Sequence, residues 1–161
     1  MNDVELLDGA FQEIGARARF TRRTVDIPGD SRVAWRLSIL CILLQRGRAK
    51  TLALEHLHVL WWAVRSNESR NVFLRWFDGD KRPDEFLVRF DPSLTATVDL
   101  AIGQKLVVSQ ASGAVQLTAR GVDLASVVGA DSEVLAVEKD FLARLPTRIT
   151  QREIQQLLEW S

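Results

Sequence analysis

Two apolar runs, Leu37–Leu44 and Leu57–Val64, follow one another closely in this chain of 161 residues. Neither approaches the roughly 18 residues a membrane span needs, so each must be buried inside the protein itself. Ser31 is a candidate helix cap and Gly47 a candidate stop, which frames a helix over Ser31–Arg46. Its apolar positions Val33, Leu37, Leu40, Cys41 and Leu44 share one face at helical spacing. A second helix is expected over Thr51–Arg65, with Leu54, Leu57, Leu60, Trp61 and Val64 facing the core. The three-residue link Arg48-Ala49-Lys50 requires the two helices to pack as neighbours.

The remaining punctuation is local. A third helix over Glu68–Phe77 places Val72, Phe73, Trp76 and Phe77 inward and stops at Asp78-Gly79-Asp80. Pro83–Phe90 partly alternates and reads as extended. Asp91-Pro92 is a strong helix start, because the carboxylate accepts first-turn N–H groups and proline suits the first helical position. That helix runs to about Lys105 with Leu94, Val98, Ala101 and Ile102 inward. Leu106–Val108 and Ala114–Leu117 then flank Ser109–Gly113 as a β-hairpin. Helices follow from Thr118 to about Val128, from Ser132 to Leu145, and from Thr150, where Thr150 and Glu153 form a capping box. The fold class is therefore mostly α with a small β-hairpin (α+β). Its order, helices then a hairpin then a helix, is that of a winged helix-turn-helix domain with extra N- and C-terminal helices. Residues 1–30 stand apart as an N-terminal segment, in which Val4, Leu7, Phe11 and Ile14 fit one helical face. Residues 31–161 form a single winged-helix-like domain with a C-terminal helical extension.

The net charge is zero, with 21 basic and 21 acidic residues, but position matters. Residues 1–16 hold four acids and no base, whereas residues 17–82 hold fourteen bases against six acids. Arginine dominates the cations, and Trp35, Trp61, Trp62 and Trp76 lie in the same basic block. Disorder of the whole chain is excluded by its ordinary apolar content, and a disulfide scaffold by its single cysteine. The acidic start does not read as a signal peptide, and one cysteine suits a reducing compartment, so a cytoplasmic setting is expected.

No constellation of catalytic groups stands out. His56 and His58 are two residues apart, about 200° around a helix, so they cannot share a metal there. They are expected at the surface or edge of the second helix. Cys41 is expected as a small core hydrophobe. Gly79-Asp80-Lys81 lacks the flanking residues of a phosphate loop, and no cofactor motif is present. DNA binding is raised by the fold order and weakened by the residues. The outward candidates of the helix after Pro92, Ser93, Thr95, Ala96, Thr97, Asp99, Gln104 and Lys105, hold one acid and one base. The hairpin tip has no cation. Any nucleic-acid contact is expected from an arm carrying Arg17, Arg19, Arg22 and Arg23. Arginine and tryptophan also dominate protein interfaces, which makes Trp61, Trp62, Trp76 and Trp160 candidate partner contacts.

Three passages carry a family resemblance: Leu54–Ser66, Val88–Leu94 leading into Asp99–Val107, and Gln116-Leu117-Thr118-Ala119-Arg120-Gly121. Over about residues 31–160 the chain resembles the small winged-helix middle components of ABC three-component systems, in the manner of the Lamassu anti-phage defences. The resemblance implies a non-enzymatic adaptor between an SMC/ABC-type ATPase and an effector protein, with DNA reached through the complex and no membrane contact. It carries over no catalytic residues. The alternative is a winged-helix transcriptional regulator that binds DNA.

Overall fold

The computed structural model describes residues 29–82, 88 and 91–159. The helical face of Val4, Leu7, Phe11 and Ile14, the arginine arm, most of the Pro83–Phe90 segment and Trp160 lie outside the described residues. Within them the chain is mostly helical with a small antiparallel sheet, an α+β arrangement. Helix α1 spans Gly29–Gln45 and is followed by a 3₁₀ turn at Arg48–Lys50 and strand β1, Thr51–Leu52. Helices α2 (Leu54–Arg65), α3 (Asn67–Phe77) and α4 (Pro92–Gly103) come next. Strands β2 (Val107–Ser109) and β3 (Val115–Leu117) form the hairpin, and α5 (Ala119–Ala130), α6 (Ala136–Arg144) and α7 (Gln151–Glu159) complete the described order. No helix among the described residues is long and apolar enough to cross a membrane.

The C-terminal half of α1 is the centre of the molecule. Ile39 to Leu44 are all buried, so this stretch has no polar face. A helix apolar all round must be surrounded, and α1 packs against α2, α4, α5 and the sheet. Its N-terminal half leaves the core: Val33 is 38 % exposed although its spacing predicts an inward position. Ser31 lies inside α1 and is not its first residue, because the helix extends back to Gly29.

The sheet corrects a second expectation. Thr51 and Leu52 are not helical; they pair with Gln116 and Val115 as an antiparallel strand, giving the order β1-β3-β2. This pairing brings together residues more than sixty positions apart, so nothing local announces it. Helix α2 consequently starts at Leu54, and Leu54 is exposed where an inward position was expected. Gly47 permits the bend from α1 into the sheet: a Cβ there would meet the Thr51 carbonyl oxygen at 2.1 Å. The histidines are also corrected. His56 and His58 are 8 % and 5 % exposed, because α2 is enclosed on nearly every side from residue 56 to residue 64.

Ser31 apart, the caps at Asp91, Thr118 and Thr150 hold where the sequence put them. Asp91 accepts from Ser93 N at the start of α4 (2.8 Å), and Thr118 Oγ1 accepts from Gly121 N at the start of α5 (3.1 Å). Thr150 and Glu153 close a reciprocal capping box, with Thr150 N donating to Glu153 Oε2 and Glu153 N donating to Thr150 Oγ1. In α4, Leu94, Val98 and Ala101 face the core as expected, but Ile102 is 40 % exposed and Thr97 is buried, donating to Ser93 O. The helix expected from Ser132 begins only at Ala136. Asp131 Oδ1 instead turns the chain by accepting from Glu133 N and Val134 N.

Candidate functional site

Three helices leave an apolar groove at the surface. α1 brings Val33 and Leu37 from the half that emerges from the core. α4 brings Leu100, with Gln104 at its C-cap, and α5 brings Leu124 and Val127 together with Arg120 and Asp123. The groove has a volume of about 550 Å³. Helix α5 explains its own side of it. Gly121, Ala125 and Val128 take the buried stripe, which turns Val127 outward at 70 % exposure. Leu100 is 39 % exposed on α4 for the same reason: Val98 and Ala101 already face the core. Aliphatic side chains gathered in a concave strip between helices, with few polar groups among them, fit the apolar face of another helix.

The helix-and-hairpin face is different. On α4 and the turn that follows it the exposed positions include Thr95, Ala96, Asp99, Gln104 and Lys105, with one cation among them. The hairpin tip from Gln110 to Gly113 is exposed and uncharged. Gln110, its most polar side chain, donates to Gln116 Oε1 within the sheet. A surface that neutralises phosphates needs several cations, and this face supplies only Lys105, in the turn between α4 and the hairpin.

The tryptophans named as partner contacts serve mainly the core. Trp61 is 1 % exposed, packs edge-on against Trp35 at 6.3 Å, and donates from Nε1 to Asp91 Oδ2 and Ser93 Oγ. Trp76 is 6 % exposed, stacks edge-on against Phe77, and lies under the ammonium of Lys81, 4.7 Å from the ring centre. Trp62 is half-buried against the core. Trp160, Arg17, Arg19, Arg22 and Arg23 lie outside the described residues. Cys41 is fully buried, and burial pushes its thiol up to about 11. Burial holds His56 down at about 4, partly opposed by the Glu153 carboxylate, and it also lowers His58. Among the described residues no three His, Cys, Asp or Glu side chains gather as a metal site. Sequence reading missed the groove because the α1 residues of one wall come more than sixty residues before those of α4 and α5. The only available signal was an apolar residue left over on each helix after the core face was filled. No family model, curated protein or solved structure matches this chain.

Proposed function

We propose that this chain is a non-enzymatic, cytoplasmic adaptor of the winged-helix type, joining an SMC- or ABC-type ATPase to an effector in a bacterial anti-phage defence complex. The observation that carries the reading is the aliphatic groove between α1, α4 and α5. Its occupant is an amphipathic helix of the ATPase, with aliphatic side chains against Val33, Leu100 and Val127. Arg120 and Asp123 offer one charge of each sign to fix its direction. The winged-helix assignment rests on the sheet order β1-β3-β2 and on α4 standing immediately before the hairpin. The resemblance over residues 31–160 supplies the identity of the partners.

The test is co-expression with the ATPase and effector encoded beside this gene. The wild-type chain is expected to elute with both at physiological salt. V127D and L100D should elute alone while keeping the wild-type circular dichroism. A wild-type chain that elutes alone at both low and physiological salt overturns the adaptor reading.

A winged-helix regulator is the second reading, favoured by the same helix-hairpin order. With Lys105 as the one cation between α4 and the hairpin tip, its affinity would rest on the arm carrying Arg22 and Arg23. Binding of the chain to its own promoter should then weaken steeply with salt, and replacing both arginines by alanine should weaken it for all sequences alike.

A further inference from the structure

A second cavity lies on another side of the molecule, where the end of α1 meets the loop before α7. Arg46 builds it. Its Nη1 donates to Leu142 O (2.9 Å) and its Nη2 to Pro146 O (2.7 Å), which draws the 142–146 stretch onto the α1–β1 bend. This open cavity has a volume of about 320 Å³. Three arginines, Arg46, Arg48 and Arg148, are among the residues that line it. The described ion pairs, Arg65–Asp91 and Arg82–Asp80, lie elsewhere, and no carboxylate among the described residues is in ion-pair range of these three arginines. Glu153 on α7 accepts from Thr150 N and Oγ1, and its carboxylate also acts on His56, so it is the one negative charge that an anion bound here works against.

Two further features face the same space. Helix α2 opens on the cavity with Ala53 as its N-cap, which supplies no side-chain acceptor for the first-turn N–H groups. That leaves the positive end of a twelve-residue helix uncovered by its own chain. Below it is His56. Its side chain lines the cavity, is more than nine-tenths buried, and has no hydrogen-bond partner among the described residues. Its ring nitrogens are not sealed from solvent as those of His58 are, so the imidazole is available to donate into this space.

We propose that this cavity binds a phosphate group, free or as the phosphomonoester of a small molecule. The first-turn N–H groups of α2 and the His56 ring N–H donate to it, and Arg48 and Arg148 close over it. A tetrahedral oxyanion accepts from donors converging in several directions, which a planar carboxylate does less well, and guanidinium forks match its oxygens. The cavity is larger than a phosphate alone requires, so it has room for a small organic group attached to it. His56 is neutral at physiological pH and so brings one N–H donor without a competing charge. A bound dianion favours the charged imidazole and so raises the His56 pKa.

The chain has two histidines, so their imidazole NMR signals form a two-site probe, with buried His58 as the internal reference. The full chain is titrated with inorganic phosphate, with ribose 5-phosphate, and with nitrate at matched ionic strength. Phosphate or the monoester is expected to move the His56 signals saturably and raise the His56 pKa, leaving His58 in place. R48A and R148A should each weaken binding by about tenfold with unchanged circular dichroism. Tighter binding of ribose 5-phosphate assigns the site to a monoester, and equal or tighter binding of inorganic phosphate assigns it to the free ion. Shifts reproduced by nitrate, or binding that survives both arginine substitutions, overturn the proposal.

Discussion

The indole Nε1 of Trp61 lies 3.3 Å from Oδ2 of Asp91, thirty residues later in the chain. The same carboxylate pairs with Arg65 and, through Oδ1, caps α4 by accepting from Ser93 N. Asp91 therefore fastens the start of α4 to the core face of α2. D91A removes the cap and leaves a buried indole N–H with only Ser93 Oγ, so it should destabilise by about 2–3 kcal/mol. D91N keeps an acceptor at the cap and should lose about half as much. R65A tests the ion pair alone; its side chain is 49 % exposed, so the loss should stay below about 1 kcal/mol. Urea unfolding of the three variants checks the order, and R65A costing as much as D91A would contradict it.

Leu40 is fully buried in the part of α1 that has no polar face. L40A should cost about 2–5 kcal/mol, since transfer and cavity terms add there. V33A, on the exposed half of the same helix, should cost less than about 0.5 kcal/mol. Denaturant midpoints measure both. Equal losses would mean that α1 is buried along its whole length.

Gly121 sits where α5 crosses the chain leaving α4. A Cβ there would meet the Leu106 carbonyl oxygen at 2.1 Å and Leu117 Cδ2 at 2.8 Å. That carbonyl is held in place, because it accepts from both Thr118 N and Thr118 Oγ1 at 3.0 Å. G121A should therefore destabilise by about 1–3 kcal/mol through overpacking. Gly129, on the same helix, is open: a methyl group added there would meet nothing within 4 Å, and G129A should be neutral or stabilise by up to about 1 kcal/mol. A thermal-melt comparison of the two separates close packing from helix propensity.

These glycines also show what the sequence discloses. Caps are local hydrogen bonds, so Asp91, Thr118 and the Thr150–Glu153 pair are legible three or four residues at a time. The pairing of Thr51 with Gln116 is not, since a two-residue strand exists only because a distant hairpin supplies its partner. Helical phase fails in α1 and α2 for a related reason. When Ile39–Leu44 or His56–Val64 contact neighbours all round, no single stripe marks an inside, and spacing alone puts Val33, Leu54 and, on α4, Ile102 on the wrong side. The groove and the arginine cavity are illegible, because the first joins residues 33–37 to residues 100–127 and the second joins residues 46–60 to residues 147–151.

Cys41 provides a direct test of core integrity. It is fully buried, and burial pushes its thiol up to about 11, so thiolate is scarce at neutral pH. A disulfide reagent such as DTNB should leave the native chain unmodified at pH 8 over hours and react stoichiometrically in urea. Rapid modification under native conditions would show that α1 opens or that its packing is loose.

His56 makes folding depend on pH with a definite sign. Its pKa falls from an ordinary 6.5 to about 4 in the folded chain, mainly because burial disfavours the imidazolium. Between those two values the unfolded chain binds the proton and the folded chain does not, so stability rises with pH across that window. The contribution is fully present above pH 6.5 and is lost as pH falls toward 4. At 1.36 kcal/mol per pH interval it amounts to about 3 kcal/mol. His58 is lowered for the same reason and adds with the same sign. Carboxylates titrate near the lower end of the window, so the informative quantity is the difference between wild type and H56Q. That difference should change by about 2–3 kcal/mol between pH 7 and pH 4.5 in urea unfolding. A flat difference would place the imidazole in water rather than in the wall of the arginine cavity.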